Sequence, residues 1–410
     1  MIQHAPEVEM ADRIADLAMR VLAGEQLDRD DARVLAQVEG DDIYDLFYWA
    51  NRIRIKFVGR HVEFCSIVAG KVGACSEDCK YCSQSASYRT HVTPGKMDVD
   101  EMLAAAEEAA SNGAVNFGVV NSGRGPTERE LDWLEPFYKK TTGENRIGAC
   151  ATLGELTEAQ ADRLVAMGVV RINHNIETSR RMFPHIVSSH SYDDRIRTIK
   201  IAKSRGMSVC AGGIFGMGEN WDDRIDMALE LRDLDVESVP LNFLYAIEGT
   251  PLSHAQHGGE LKEITPLESL KIVSLFRFLL PAKTLKIGGG REKILRDMQS
   301  WIFYAGANSF LIGNYLTTFG RTPKEDHQML RDLGVPVKLH DETVVEADPS
   351  KAMDRGPGHR FKGKAASLMS RREESLVTLP VMNQGEKLNK AAGAGATSGA
   401  GVGGGSCCSH

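Results

Sequence analysis

An α/β chain folded into a (β/α)8 barrel of the TIM type, with helices ahead of it and a flexible C-terminal tail behind, is what this sequence predicts. Three observations carry that prediction. Short apolar runs recur eight times between residues 62 and 312. Stretches of helical period, most ending near Gly, separate them. The 57–340 segment is long enough for one such barrel, which routinely forms a single domain of about 250 residues. An open doubly wound sheet built from the same alternation is the structural alternative.

Taken in order, residues 1–56 read as an N-terminal helical segment. Ile14, Leu17, Ala18, Val21 and Leu22 recur at helical spacing, and Ile43, Leu46, Phe47, Ala50 and Ile53 do so again, which predicts helices packed outside the barrel or capping one end. The expected strands are Val62–Val68, Val115–Val120, Ile147–Thr152, Val170–Asn175, Ser208–Ile214, Ser238–Tyr245, Thr284–Ile287 and Asn308–Ile312. Asp100–Asn112, Thr157–Met167, Tyr192–Ser204 and Asn220–Asp233 are helices between them. The pattern stops near Val337, and residues 341–410 read as a poorly ordered tail. Within it, residues 351–390 hold nine Lys and Arg against four Asp and Glu. Residues 391–406 are Gly or Ala at twelve of sixteen positions, a tether spanning roughly 20–24 Å. Cys407, Cys408, Ser409 and His410 follow.

Composition sets outer bounds. With 42% hydrophobic residues, 26% charged residues and a net charge of −7, the chain has no basic surplus for nucleic acid. No apolar run approaches the roughly 18 residues of a membrane span, and the N-terminus carries no basic region followed by an apolar core. The expectation is a cytoplasmic enzyme.

Three of the eight cysteines, Cys75, Cys79 and Cys82, fall within eight residues just after the first strand, at the barrel face where active sites lie. Thiolates at Cys-x-x-x-Cys-x-x-Cys spacing can turn onto one side of a loop and bind iron or zinc. Three ligands leave one corner of an iron–sulfur cubane open, a spacing that resembles the radical S-adenosylmethionine (SAM) enzymes. A zinc knuckle completed by Cys65 is the alternative. Other polar or sulfur residues stand on barrel strands, where they are costly unless paired: Cys65, Cys150, Asn173, His174, Asn175, Cys210 and Asn242, with Arg291 after strand seven. Gly212, Ile214, Gly216 and Glu219 end strand five in a Gly-x-Ile-x-Gly-x-x-Glu segment that resembles the one contacting the adenine of SAM.

Five ordered stretches together resemble biotin synthases: residues 73–84, 173–179, 238–244, 288–292 and 305–309. The resemblance covers about residues 45–337. It implies a [4Fe-4S] cluster on Cys75, Cys79 and Cys82 that cleaves SAM to a 5′-deoxyadenosyl radical. The radical abstracts hydrogen from dethiobiotin, and an auxiliary iron–sulfur cluster donates the sulfur that closes the ring. Arg195 is implied at the SAM carboxylate, Glu177 at the ribose, Tyr81 in the cofactor site, and Asn175 and Asn242 at the ureido ring. A flavodoxin- or ferredoxin-type electron donor, cluster-assembly machinery and a homodimer are implied as partners.

Two positions depart from that family. Glu177 stands where an Asp is usual. Cys150, Cys210 and Arg291 match auxiliary-cluster ligands, whereas Gly118 replaces the cysteine of strand two. Cys65 or the terminal Cys407, Cys408 and His410 can supply the fourth ligand, the tail being slightly favoured because paired cysteines behind a tether lack a structural explanation. A third reading has no auxiliary cluster, giving a radical SAM enzyme that rearranges or abstracts hydrogen without inserting sulfur. A non-catalytic iron–sulfur carrier is the alternative from another class.

Overall fold

The structure, a computed structural model, describes residues 5–144, 146–316 and 320–353. Three helices come first: α1 (Ala5–Leu22), α2 (Arg29–Ala36) and α3 (Asp42–Phe57). A capping box starts α2, with Asp31 N–H donating to Asp28 and Asp28 N–H to Asp31, so two otherwise orphaned donors are satisfied. Of the apolar residues expected on one face, from Ile14 to Ile53, all are buried except Leu22, which is half-buried. The helices lie against the barrel's outer layer: Arg33 pairs with Asp222 at 2.9 Å, Lys271 Nζ donates to Ala36 O at 2.7 Å, and Arg232 donates to Leu27 O at 2.7 Å.

Among the described residues, eight parallel strands close a barrel. They are β1 (Glu63–Val72), β2 (Ala114–Asn121), β3 (Gly148–Thr152), β4 (Arg171–Asn173), β5 (Ser208–Cys210 resuming as Gly213–Phe215), β6 (Ser238–Phe243), β7 (Thr284–Ile287) and β8 (Ser309–Leu311). Closure comes from β8 pairing with β1, Glu63 opposite Ser309 and Cys65 opposite Leu311. Outside lie α4 (Val99–Ser111), α5 (Glu128–Glu144), α6 (Glu158–Ala166), α7 (Tyr192–Ser204), α8 (Trp221–Asp233), α9 (Pro266–Leu279) and α10 (Pro323–Leu333).

Two departures from the sequence expectation have local causes. Thr157 and Asn220 are not the first turns of helices but their caps, each accepting the N–H three residues on and so lying outside the helix. Strand five breaks at Ala211 and Gly212. Opposite the break β6 carries Pro240, which has no N–H for a ladder, and a Cβ on Gly212 would meet Pro240 O at 2.0 Å. The freed Gly212 N–H donates to Asn175 Oδ1 at 3.2 Å.

Beyond α10, Val337 bridges to Val62 and is buried. The stretch 341–353, assigned from sequence to the tail, remains bonded to the barrel: Met353 N–H donates to Asn112 Oδ1 at 2.7 Å and Asn112 returns a bond to Met353 O at 3.0 Å. Residues 354–410, with Cys407, Cys408 and His410, lie outside the described residues. No helix among the described residues is long and apolar enough to cross a membrane.

Candidate active site

The loop after β1 is built by hydrogen bonds on both flanks. Cys75 N–H donates to Gln84 O at 3.0 Å and Ala86 N–H to Cys75 O at 2.8 Å, drawing the loop's ends together. Between Cys75 and Cys79, Glu77 and Asp78 fasten the loop to residues 188–190. Asp78 accepts the N–H groups of Ser188 at 2.9 Å and Ser189 at 3.0 Å, and Glu77 meets His190 Nδ1 at 2.6 Å and Ser189 Oγ at 2.7 Å. These donors outweigh burial and hold both carboxyls below their usual range. Lys80 N–H donates to Ile186 O at 3.0 Å, a third tie to the same region.

Burial pushes the Cys79 thiol up to about 12 and the Cys82 thiol up to about 11. A thiol held neutral in this way becomes a good ligand only when a cation offsets the thiolate, which the irons of a cluster do. Among the described residues, no three Cys, His, Asp or Glu side chains are gathered closely enough to hold a single metal ion.

Beside this loop the ends of β4, β5 and β6 supply a polar wall. Glu177 is buried in a left-handed conformation (φ 67°), and its carboxylate lies 3.4 Å from Arg195 Nη1. Arg195 reaches in from α7 and also donates to Asn175 O at 3.1 Å. Burial opposes the Arg195 charge, but Glu177, Tyr81 and Cys79 hold it above its ordinary value. Ile214 N–H donates to Glu177 O at 2.8 Å, and a Cβ on Gly213 would fall 2.4 Å from that same oxygen, so backbone approach sets the wall's shape.

Glu219 has a different task from the ligand contact its motif implied. Its side chain is fully buried, accepts the N–H groups of Gly216 at 2.9 Å and Met217 at 2.8 Å, and pairs with Arg224 at 2.9 Å, bracing the glycine turn from behind. Asn242 donates to Gly213 O at 3.0 Å and accepts from Gly289 N–H at 2.8 Å, leaving one of its N–H groups for a ligand. Arg195 Nε, Asn173 Oδ1, His174 Nε2 and both amide atoms of Asn121 are buried without a partner in the structure. Each such group costs about 1–3 kcal/mol while unmade, so this end of the barrel fits a polar ligand. Burial pushes His174 well below 6.5, helped by Arg195 and His190 nearby, and keeps the ring neutral.

Deeper in the lumen, Cys65, Cys150 and Cys210 are all buried and share one electrostatic environment with two cations, Lys286 on β7 and Arg171 on β4. Lys286 Nζ lies 3.4 Å from Cys210 Sγ. Burial opposes its charge, yet Cys210 and Cys65 hold the ammonium above its ordinary range. Burial likewise pushes Cys150 up to about 12. Gly118 faces this group: a Cβ there would stand 3.2 Å from Asn173 Nδ2 and 3.9 Å from the Cys150 Cβ.

Arg291 does not stand with the cysteines. It begins the short helix Arg291–Leu295, where its fully buried guanidinium makes a two-pronged pair with Asp326, at 3.0 and 2.9 Å, and lies over the Phe310 ring. The cations among the thiols are Lys286 and Arg171, which the sequence reading passed over. The signal for Lys286 was present: a lysine in the middle of the apolar strand Thr284-Leu285-Lys286-Ile287 needs a buried counter-group. Arg171, between Val170 and Ile172, carries the same signal.

Two family models match the chain: the Radical SAM superfamily over residues 71–231, and the Biotin and Thiamin Synthesis associated domain over residues 240–336. Among curated proteins, the chain is 50% identical over 318 residues to a biotin synthase of Heliobacterium modesticaldum, covering 77% of this chain and 96% of the relative. It is 45% identical over 331 residues to that of Carboxydothermus hydrogenoformans, covering 80% and 100%. Among solved structures it is similar to methylornithine synthase (PylB), with TM-score 0.64, 19% identity and coverage of 72% and 85%. It is also similar to the FeFe-hydrogenase maturase HydG from Carboxydothermus hydrogenoformans, with TM-score 0.66, 16% identity and coverage of 80% of each chain. At these identities the two structures speak for the barrel alone.

Proposed function

The chain belongs to the biotin synthase family of radical SAM enzymes, and on that premise we propose how its own residues divide the work of inserting sulfur into dethiobiotin. When bound, the [4Fe-4S] cluster with SAM supplies a 5′-deoxyadenosyl radical, and an auxiliary iron–sulfur cluster supplies the sulfur. Cys75, Cys79 and Cys82 hold the first cluster on the rim loop. Arg195 and Glu177 form a charged clamp for the amino-acid and ribose ends of SAM, beside Tyr81. Gly212, Ile214 and Gly216 give it an apolar, closely approached wall, with Glu219 fixing their turn. Asn175 and Asn242 hold the ureido ring by their remaining donor and acceptor positions. The buried lumen keeps water from reacting carbons.

Cys65, Cys150 and Cys210 hold the auxiliary cluster, and Lys286 and Arg171 offset its thiolates. The single observation that supports this reading is the 3.4 Å contact of Lys286 Nζ with Cys210 Sγ beside Cys65 and Cys150. A buried ammonium is stable only against negative charge, and the groups of opposite potential charge around it here are thiols. Cys65 does on strand one what a cysteine at position 118 would do on strand two. We further propose a flavodoxin- or ferredoxin-type electron donor, loading by cluster-assembly machinery, and a homodimer.

Iron and acid-labile sulfide per chain, with Mössbauer spectra, test the reading on anaerobically reconstituted protein. The wild type is expected to hold two clusters, Cys65→Ala one, and the Cys407→Ala, Cys408→Ala double variant two. A double variant with one cluster transfers the ligand role to the tail. A wild type with a single cubane favours a rearrangement on the same barrel over sulfur insertion.

A further inference from the structure

Exposed aromatic side chains gather on the flank formed by α3 and the turn 296–304. Tyr44, Tyr48 and Tyr304 are about half exposed, and Trp301 more than a third. Tyr44 lies 5.9 Å from Trp301, which lies 6.3 Å from Tyr304. An exposed aromatic cluster of this kind marks a contact surface.

The charges on the outward stripe of α3 say what covers it. The stripe runs Asp41, Asp45, Tyr48, Trp49, Arg52, Lys56, acidic at its start, aromatic at its middle and basic at its end. The four charged residues are exposed, and none forms an ion pair with another described residue. Acids first and bases last also suit the helix dipole, but the dipole gives no reason for aromatics between them. Antiparallel contact between two copies of the stripe, centred between residues 48 and 49, sets Tyr48 against Trp49, Asp45 against Arg52 and Asp41 against Lys56. Every charge then meets its opposite, and each pair occurs twice, as an isologous twofold contact requires.

We propose that this flank is the contact between two copies of the chain, α3 packing antiparallel on its symmetry mate. The proposal takes the homodimer from the functional reading above and adds its face. Charge reversal tests it, because the four residues are exposed and form no ion pair among the described residues, so their replacement is expected to leave the fold intact, with far-ultraviolet circular dichroism as the check.

In sedimentation velocity on the full chain, wild type is expected to run as a dimer. Asp45→Arg and Arg52→Asp are each expected to weaken it about tenfold or more, since each sets like charges together twice. The two combined are expected to restore it. A monomeric wild type overturns the homodimer and the face together. A wild-type dimer indifferent to the single reversals overturns the face alone. Single reversals that weaken the dimer without recovery in the combination overturn the antiparallel pairing.

Discussion

The two sets of cysteines in this barrel are made in opposite ways. Those at the rim occupy eight consecutive residues of one loop, whereas those in the lumen come from β1, β3 and β5, with Cys65 and Cys210 separated by 145 residues. The rim set is held by hydrogen bonds to the loop's own backbone and to residues 188–190. The lumen set exists only once the strands have closed, and what stands among its sulfurs is charge, Lys286 and Arg171. A local motif can be moved between chains as a unit, but a site assembled from one residue per strand depends on the barrel itself.

The sharpest way to separate the sets is by product. Cys79→Ala is expected to lower both 5′-deoxyadenosine and biotin formation by about 10⁴-fold or more, because the residues of one catalytic unit fail together. Cys150→Ala is expected to abolish biotin while 5′-deoxyadenosine production stays within about tenfold of wild type. Chromatography of both products from one reaction decides. Biotin made at the wild-type rate by Cys150→Ala would dissolve the division.

A smaller effect distinguishes the two buried cations that follow one another on and after β7. Arg291→Ala leaves Asp326 buried without its partner and is expected to cost about 3–5 kcal/mol in denaturant unfolding, with sulfide per folded chain unchanged. Loss of sulfide in that variant would return Arg291 to the auxiliary site.

The least effect is on pH. His174 titrates well below 6.5 in the folded chain. Above about pH 6.5 neither state binds the proton; as pH falls below that value the unfolded chain takes one that the folded chain refuses. Stability is therefore expected to fall by about 1 kcal/mol per pH unit below 6.5. His174→Gln should flatten that slope, measured by unfolding at pH 7.5 and 5.5, and an unchanged slope would assign it to other groups.

Much of this was legible before the structure. Apolar runs located all eight strands, Thr284–Ile287 to the residue, because a barrel strand buried on both faces leaves a mostly apolar signal even where a charge such as Lys286 interrupts it. The rim loop was legible because its ligands are neighbours in sequence. The break in β5 was not, since it arises from Pro240 on the adjacent strand, 28 residues beyond Gly212. Arg291 was assigned to the auxiliary site through the resemblance carried by residues 288–292, yet its partner Asp326 lies on α10 and no local pattern joins them. Lys286 was readable as a misplaced charge, although only register shows which sulfurs it meets.

The ties between the cluster loop and residues 188–190 also set an order in time. Asp78 and its partner Ser188 are 110 residues apart, and Glu77 and His190 113. During synthesis at about 5–20 residues per second, the three thiols leave the ribosome roughly 5 to 20 s before the groups that seat their loop. For that interval the loop is a strip of cysteines without the partners that Glu77 and Asp78 bond in the folded chain. Once Ser188, Ser189 and His190 emerge and dock, Glu77 and Asp78 latch the loop in place.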